Sequence, residues 1–203
     1  VYKRQAYYNG GKYIDETINS VLNQTFPAWE WIIVNDGSTD EKSLEKLKEI
    51  GKIDKRIRVI NKENSGLAAT RDYGAERANE NSKYLFFLDD DDVINKTYLE
   101  CAYWTLQTNK DASWAYTDLV NFQKEEFAWI KYFDSDMEQK ENLLVATALI
   151  RKVDFWEVNG YELREKAVNE DWNLWLKLLS KGKKPVRMNS VSYTHLRAHE
   201  TRG

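Results

Sequence analysis

Apolar positions along the chain recur at two different periods. Ile14, Ile18, Val21 and Leu22 are helically spaced and predict an amphipathic helix ending near Gln24 to Pro27. Residues 29–34 form a short apolar run, broken by the turn-forming Asn35, Asp36, Gly37 and Ser38. Ser38 or Asp40 can cap the next helix, whose Leu44, Leu47 and Ile50 face inward. Residues 57–60 read as a strand. Residues 66–78, with Ala68, Gly74, Ala75 and Ala78, read as a tightly packed helix. Residues 84–88 form another strand, followed by a helix marked by Leu99, Ala102, Tyr103 and Leu106. The pattern then loosens. Residues 114–120 and 143–150 read as strands, and Leu174, Trp175, Leu178 and Leu179 mark a last helix that stops near Gly182. Strands alternating with helices at this spacing predict a single α/β domain over residues 6–190, with a mostly parallel sheet flanked by helices.

Residues 84–93 run Tyr-Leu-Phe-Phe-Leu-Asp-Asp-Asp-Asp-Val, an apolar strand ending in four carboxylates. Open parallel sheets bind ligands just beyond the carboxyl ends of their strands. Four carboxylates at such a point repel one another unless a cation sits among them. On an extended chain Asp89 and Asp91 would point to one side and Asp90 and Asp92 to the other. Hard oxygen ligands suit Mg²⁺ or Mn²⁺, which keep several positions for water and substrate phosphates. The competing interpretation is a solvated acidic turn, the usual fate of a charge run.

Composition narrows the classes. The formal charge of −3 over 203 residues argues against a general nucleic-acid binder. A single cysteine, Cys101, excludes an internal disulfide and a cysteine-rich zinc site, and its place in a helical apolar pattern makes it a small core residue. No stretch approaches the ~20 apolar residues of a membrane span. Both histidines, His195 and His199, lie in the tail. If the tail is not part of the working domain, a general base must be a carboxylate, a lysine or a tyrosine. Of the eight tryptophans, Trp29, Trp31 and Trp175 read as core, whereas Trp156 and Trp172 could offer a flat face to a sugar.

Taken in order, several motifs resemble family-2 glycosyltransferases of the GT-A fold. They are Tyr8-Asn9; Gln24-Thr25-Phe26-Pro27; the strand and turn from Trp31 to Asp40; Gly66 with Arg71-Asp72; the Asp-x-Asp motif ending at Asp92; Gly160-Tyr161-Glu162; and Glu170-Asp171-Trp172. The similarity spans about residues 6–184. It implies a Rossmann-like GT-A domain that transfers one sugar, with inversion, from a nucleotide-diphosphate sugar such as a UDP-sugar. The acceptor would be a hydroxyl of a saccharide, glycolipid or protein. Donor binding would fall to Tyr8, Asp36, Gly66, Arg71, Asp89 and Asp90, and Mg²⁺ or Mn²⁺ to Asp91 with Asp89. Asp171 would be the general base, with Glu170 orienting it or the donor. Asp36 could accept a hydrogen bond from a pyrimidine imide, or merely cap the helix that follows. Asp171 could equally be an acid favoured by a helix N-terminus, which would hold it ionised and weaken it as a base. The family's usual setting implies a cytoplasmic protein of cell-envelope polysaccharide assembly, with peripheral association at the inner membrane face. The Gln-x-x-Arg-Trp motif of processive synthases is absent, which favours a single-sugar transferase.

Departures from the family pattern set further expectations. Position 35 is asparagine where an aspartate is frequent. Residues 1–5 are polar and match no strand pattern, and residues 192–203 lose periodicity; both are similar to translated adapter sequence and are expected to be non-native. The first strand of the sheet is therefore expected to be truncated, leaving a central position badly filled. Two other functions compete. A haloacid-dehalogenase-like phosphatase would use Asp89 as nucleophile and Asp91 as acid/base. An inactive nucleotide-sugar or metal-binding fragment is the third possibility.

Overall fold

The computed structural model describes residues 2–10, 12–121, 127–161 and 169–195. Strand β1 (Tyr2–Tyr7) is followed by α1 (Ile14–Leu22), β2 (Glu30–Asp36), α2 (Glu41–Ile53), β3 (Ile57–Lys62) and α3 (Leu67–Glu76). Then come β4 (Tyr84–Phe87), β5 (Asp92–Ile94) and α4 (Tyr98–Thr108). The second half holds β6 (Trp114–Asn121), β7 (Phe127–Trp129), α5 (Ser135–Glu138), β8 (Leu149–Arg151), α6 (Lys152–Glu157), α7 (Glu170–Ser180) and β9 (Pro185–His195). They form one sheet in the order β3-β2-β1-β4-β8-β6-β9-β5, with β7 paired to β6. The first four positions are parallel; β8 joins β4 and β6 antiparallel, and β9 runs parallel to β6.

The apolar runs are continuous because the sheet is covered on both faces. Trp31, Ile33, Phe86 and Leu88 pack on one side with residues of α1, α2 and α4. Ile32, Val34, Leu85 and Phe87 pack on the other with residues of α3, α6 and α7. Trp114 of β6 stacks on Trp175 of α7 with centroids 5.2 Å apart, a contact worth about 0.5–1.5 kcal/mol beyond its area. It fixes α7, and with it the Glu170-Asp171 pair, against the sheet. Trp29 and Trp31 are buried as expected, and Cys101 packs partly buried against the first cluster.

Three expectations need correction. The central position is filled, because β1 lies between β2 and β4, with Tyr2 opposite Glu30 through Tyr7 opposite Asn35. Ladder bonds are made by main-chain groups, so a polar segment can still occupy the slot. At the other end of the chain Ser192 to His195 pair with Asp118 to Asn121. His199 and Glu162 lie outside the described residues. Residues 143–150 are not one strand: only Leu149–Arg151 pairs, as β8, and the apolar residues before it fill the core from a loop. Finally, the four aspartates do not alternate along an extended chain. Asp89 to Asp92 form a turn in which the Asp92 N–H donates to the Asp89 carbonyl at 3.2 Å.

Candidate active site

The carboxyl ends of β1, β2 and β4 open on one rim. After β1, Tyr8 is 53% exposed, while Asn9 adopts a left-handed φ of 51°. Its Oδ1 accepts the N–H groups of Thr39 and Asp40 at 3.0 and 3.1 Å, tying the first strand end to the second. Asp40 caps α2 through the Ser43 N–H, so Asp36 is not the cap. Asn35 donates to Asn61 Oδ1 at 3.0 Å while its own Oδ1 accepts the Ser38 N–H. With this orientation of Asn61, the asparagine both donates and accepts, where an aspartate would only accept.

Asp36 is buried and heavily engaged. Lys62 Nζ donates to it at 2.5 Å, and the N–H groups of Ser65 and Gly66 donate at 2.9 and 3.0 Å. Burial pushes its carboxyl up, but the Lys62, Ser65 and Thr70 bonds outweigh that and hold it below the usual range. Gly66, the N-cap of α3, has φ 84°, a conformation that glycine supplies without strain. Lys62 escaped the sequence reasoning because its role exists only once β2, β3 and the α3 turn meet.

At the end of β4, Asp91 and Asp92 are buried and Asp89 is partly exposed. Asp92 Oδ2 accepts the Thr147 hydroxyl at 3.2 Å, and the Asp90 carbonyl accepts that of Thr17 at 3.1 Å. A Cβ added at Gly10 would lie 1.4 Å from Asp90 Oδ2, so only glycine lets this carboxylate approach the β1 end. Gln24 and Thr25 latch the segment behind: Gln24 Nε2 donates to the Asn95 carbonyl, Gln24 Oε1 accepts the Leu99 N–H, and Thr25 donates to Glu100.

Arg71 links this rim to the second half of the chain. Only 3% exposed, it donates to Asp89 Oδ1 at 2.8 Å and to Glu170 Oε1 at 2.6 Å, with its guanidinium over the Tyr161 ring. Asp72 beside it accepts the Tyr161 N–H at 2.9 Å. Gly160 has φ 63°, and a Cβ there would meet Asp72 Oδ1 at 2.5 Å, so the glycine turn is required where it sits. Asp171, in the first turn of α7, accepts its neighbour's Trp172 N–H at 2.8 Å and the Asn142 amide at 3.2 Å. Burial, then the charge of Glu170, raise its pKa against the opposing pull of Arg71 and those two bonds. The expectation that the helix end would weaken it as a base is thus reversed. Trp172 is pinned by its indole N–H to the Glu138 carbonyl at 2.6 Å, and Trp156 packs edge-on against Phe155.

A second carboxyl stands nearby. Glu138, wholly buried at the end of α5, accepts the Leu143 N–H at 3.1 Å, and burial followed by the charges of Asp171 and Glu141 pushes it up to about 7. Nothing in its sequence surroundings, a polar segment of ordinary appearance, marks it. Among the described residues no cluster of three or more His, Cys, Asp or Glu side chains forms a metal cage. Asp89 and Asp91 are hard oxygen donors of the kind that hold a divalent cation one or two at a time, and Asp89 Oδ1 is engaged by Arg71. No helix among the described residues is long and apolar enough to cross a membrane.

The Glycosyl transferase family 2 model matches residues 6–162. Among relatives, the chain is 47% identical over 94 residues to TuaG of Bacillus subtilis (strain 168), named as a teichuronic acid biosynthesis glycosyltransferase, covering 46% of this chain and 36% of TuaG. It is 30% identical over 154 residues to glycosyltransferase GlyG of Streptococcus pneumoniae serotype 4, covering 75% of this chain and 50% of GlyG. The chain therefore spans half or less of these relatives. Among solved structures, S. aureus TarS 1-349 in complex with UDP-GlcNAc superposes with a TM-score of 0.75 at 19% identity, over 98% of this chain and 59% of that one. GalNAc-T7 with UDP, GalNAc and Mn²⁺ gives 0.78 at 17% identity, over 98% and 44%. Likeness at that identity establishes the GT-A fold alone.

Proposed function

Because the chain belongs to glycosyltransferase family 2, we propose that it moves one sugar from a UDP-sugar to an acceptor hydroxyl, with inversion at the sugar carbon. The observation that carries this is the Arg71 bridge, which brings the Asp-x-Asp turn and the Glu170-Asp171 pair to one place. Donor recognition falls to Asp36, Gly66 and the exposed Tyr8 on the rim, and to Asp89 and Asp90 at the β4 end. Asp91, with Asp89, would hold Mg²⁺ or Mn²⁺. A divalent cation there supplies neutralisation of the charge that develops on the departing diphosphate. In this proposal the acceptor oxygen forms its bond to the sugar carbon as the bond to the diphosphate breaks, the electron pair leaving with the diphosphate. Asp171 takes the acceptor proton, while Glu170, held by Arg71, fixes the first turn of α7.

A raised pKa suits Asp171 to this role, since basicity increases with pKa. The sign follows directly: turnover needs the ionised carboxylate, so it falls as pH drops through a value above that of an ordinary aspartate. The neighbours crystallised with UDP-GlcNAc, or with UDP and Mn²⁺, support the donor class and the metal by analogy. The haloacid-dehalogenase alternative finds no support, residues 6–162 having a different family assignment.

The test is Asp171→Asn, read as UDP release from a panel of UDP-sugars with simple saccharide acceptors. Turnover should fall by about 10² to 10⁴, the range for a positioned base, with UDP affinity unchanged. Intact turnover, or UDP binding lost together with it, would make Asp171 a structural residue or a donor ligand.

A further inference from the structure

Asp171 does not stand alone: the segment joining α5 to β8 folds against it. Asn142 donates to Asp171 Oδ2, and the Trp172 indole beside the candidate base donates to the Glu138 carbonyl. The Glu138 side chain is 0% exposed, and its Oε2 accepts the Leu143 N–H, closing the same loop on itself. Two acceptor atoms of this loop, Glu138 Oε1 and Asn142 Oδ1, are buried without a hydrogen-bond partner among the described residues. A buried ionised carboxylate with an unpartnered oxygen is costly, whereas a protonated one becomes a donor as well as an acceptor.

We propose that Glu138 and Asn142 are positioning residues, a buried carboxyl and amide whose loop holds the Asp171 carboxylate in a fixed orientation toward the acceptor side. The inference rests on Asp171 being the base. The groups facing Glu138 are Asp171 from α7, Glu141 from its own loop and Tyr116 from β6, with Glu170 and Arg71 beyond Asp171. Two neighbouring carboxyls cannot both ionise cheaply, and Glu138 is the more deeply buried of the two, so a proton held by the pair falls to it first. Asp171 carries two hydrogen-bond donors and the attraction of Arg71, whereas Glu138 has one donor. The proton therefore rests on Glu138 and the charge on Asp171. Glu138 then holds the loop that orients the base without adding a second charge beside it or touching the substrate.

Carbon-13 NMR titration of the labelled carboxyls in the 203-residue chain tests this directly. One glutamate should titrate at about 7, vanish from the spectrum in Glu138→Gln, and move toward the ordinary glutamate range in Asp171→Asn. A Glu138 that titrates with the exposed glutamates, or that ignores Asp171→Asn, overturns the proposal. In UDP-sugar turnover, Glu138→Ala should lower kcat by up to ~10²-fold, the cost of a misplaced catalytic group, with the donor KM unmoved. Glu138→Gln, which keeps the acceptor for Leu143, should restore most of that loss. An unchanged kcat in Glu138→Ala, or kcat and KM shifting together, also overturns it. If Asp171→Asn keeps full turnover while the two carboxyls remain coupled, the base assignment fails and this proposal falls with it. Loss of coupling alone overturns only the positioning role.

Discussion

Arg71 sits between two carboxylates far apart in the chain, Asp89 at the end of β4 and Glu170 at the start of α7, and is almost wholly buried. Removing it would leave the largely buried Glu170 without its counter-charge. A fully buried pair broken this way costs about 3–5 kcal/mol, and the partial exposure of Asp89 places this one at or below the low end. Arg71→Ala should therefore lose roughly that much stability in urea denaturation, and Arg71→Lys a substantial part of it, since an ammonium does not reproduce the forked guanidinium. Equal stability of all three proteins would contradict the bridge. At this scale the sequence was uneven. Arg71, Asp89 and Glu170 were legible as members of ordered motifs, but their direct contact was not. Lys62, Glu138 and Asn142 were invisible, because each acquires its role from partners on other elements.

Among the elements, the α/β alternation was legible up to α4 because apolar runs and turn clusters there follow a regular spacing. It failed for residues 143–150, where apolar residues line the core from an irregular loop, and at β1, where main-chain pairing overrides a polar side-chain pattern. The Gly160 turn shows what an element boundary demands. Gly160 and Gly182 both have positive φ, yet only Gly160 has its Cβ position occupied, by Asp72 and Phe155. Both glycines should resist alanine at a cost of about 1 kcal/mol or more for backbone strain. Gly160→Ala should cost more than Gly182→Ala, because it must also displace the Asp72 carboxylate that holds the Tyr161 N–H. Equal denaturation midpoints for the two variants would contradict that difference.

Across the whole molecule, the parallel half β3-β2-β1-β4 presents the rim proposed to bind the donor, while the mixed half built on β8, β6 and β9 carries the loop and helix that hold Asp171. The two halves meet at the β4–β8 pair and at Arg71. In the proposed function, donor and acceptor chemistry come from different parts of the chain and join at a metal-assisted diphosphate site. Calorimetric titration of UDP into the protein measures this most directly, with Mn²⁺ present, with EDTA, and in Asp91→Asn. The account predicts saturable binding with Mn²⁺ that is lost both with EDTA and in the variant. Equal UDP affinity in all three conditions would contradict it.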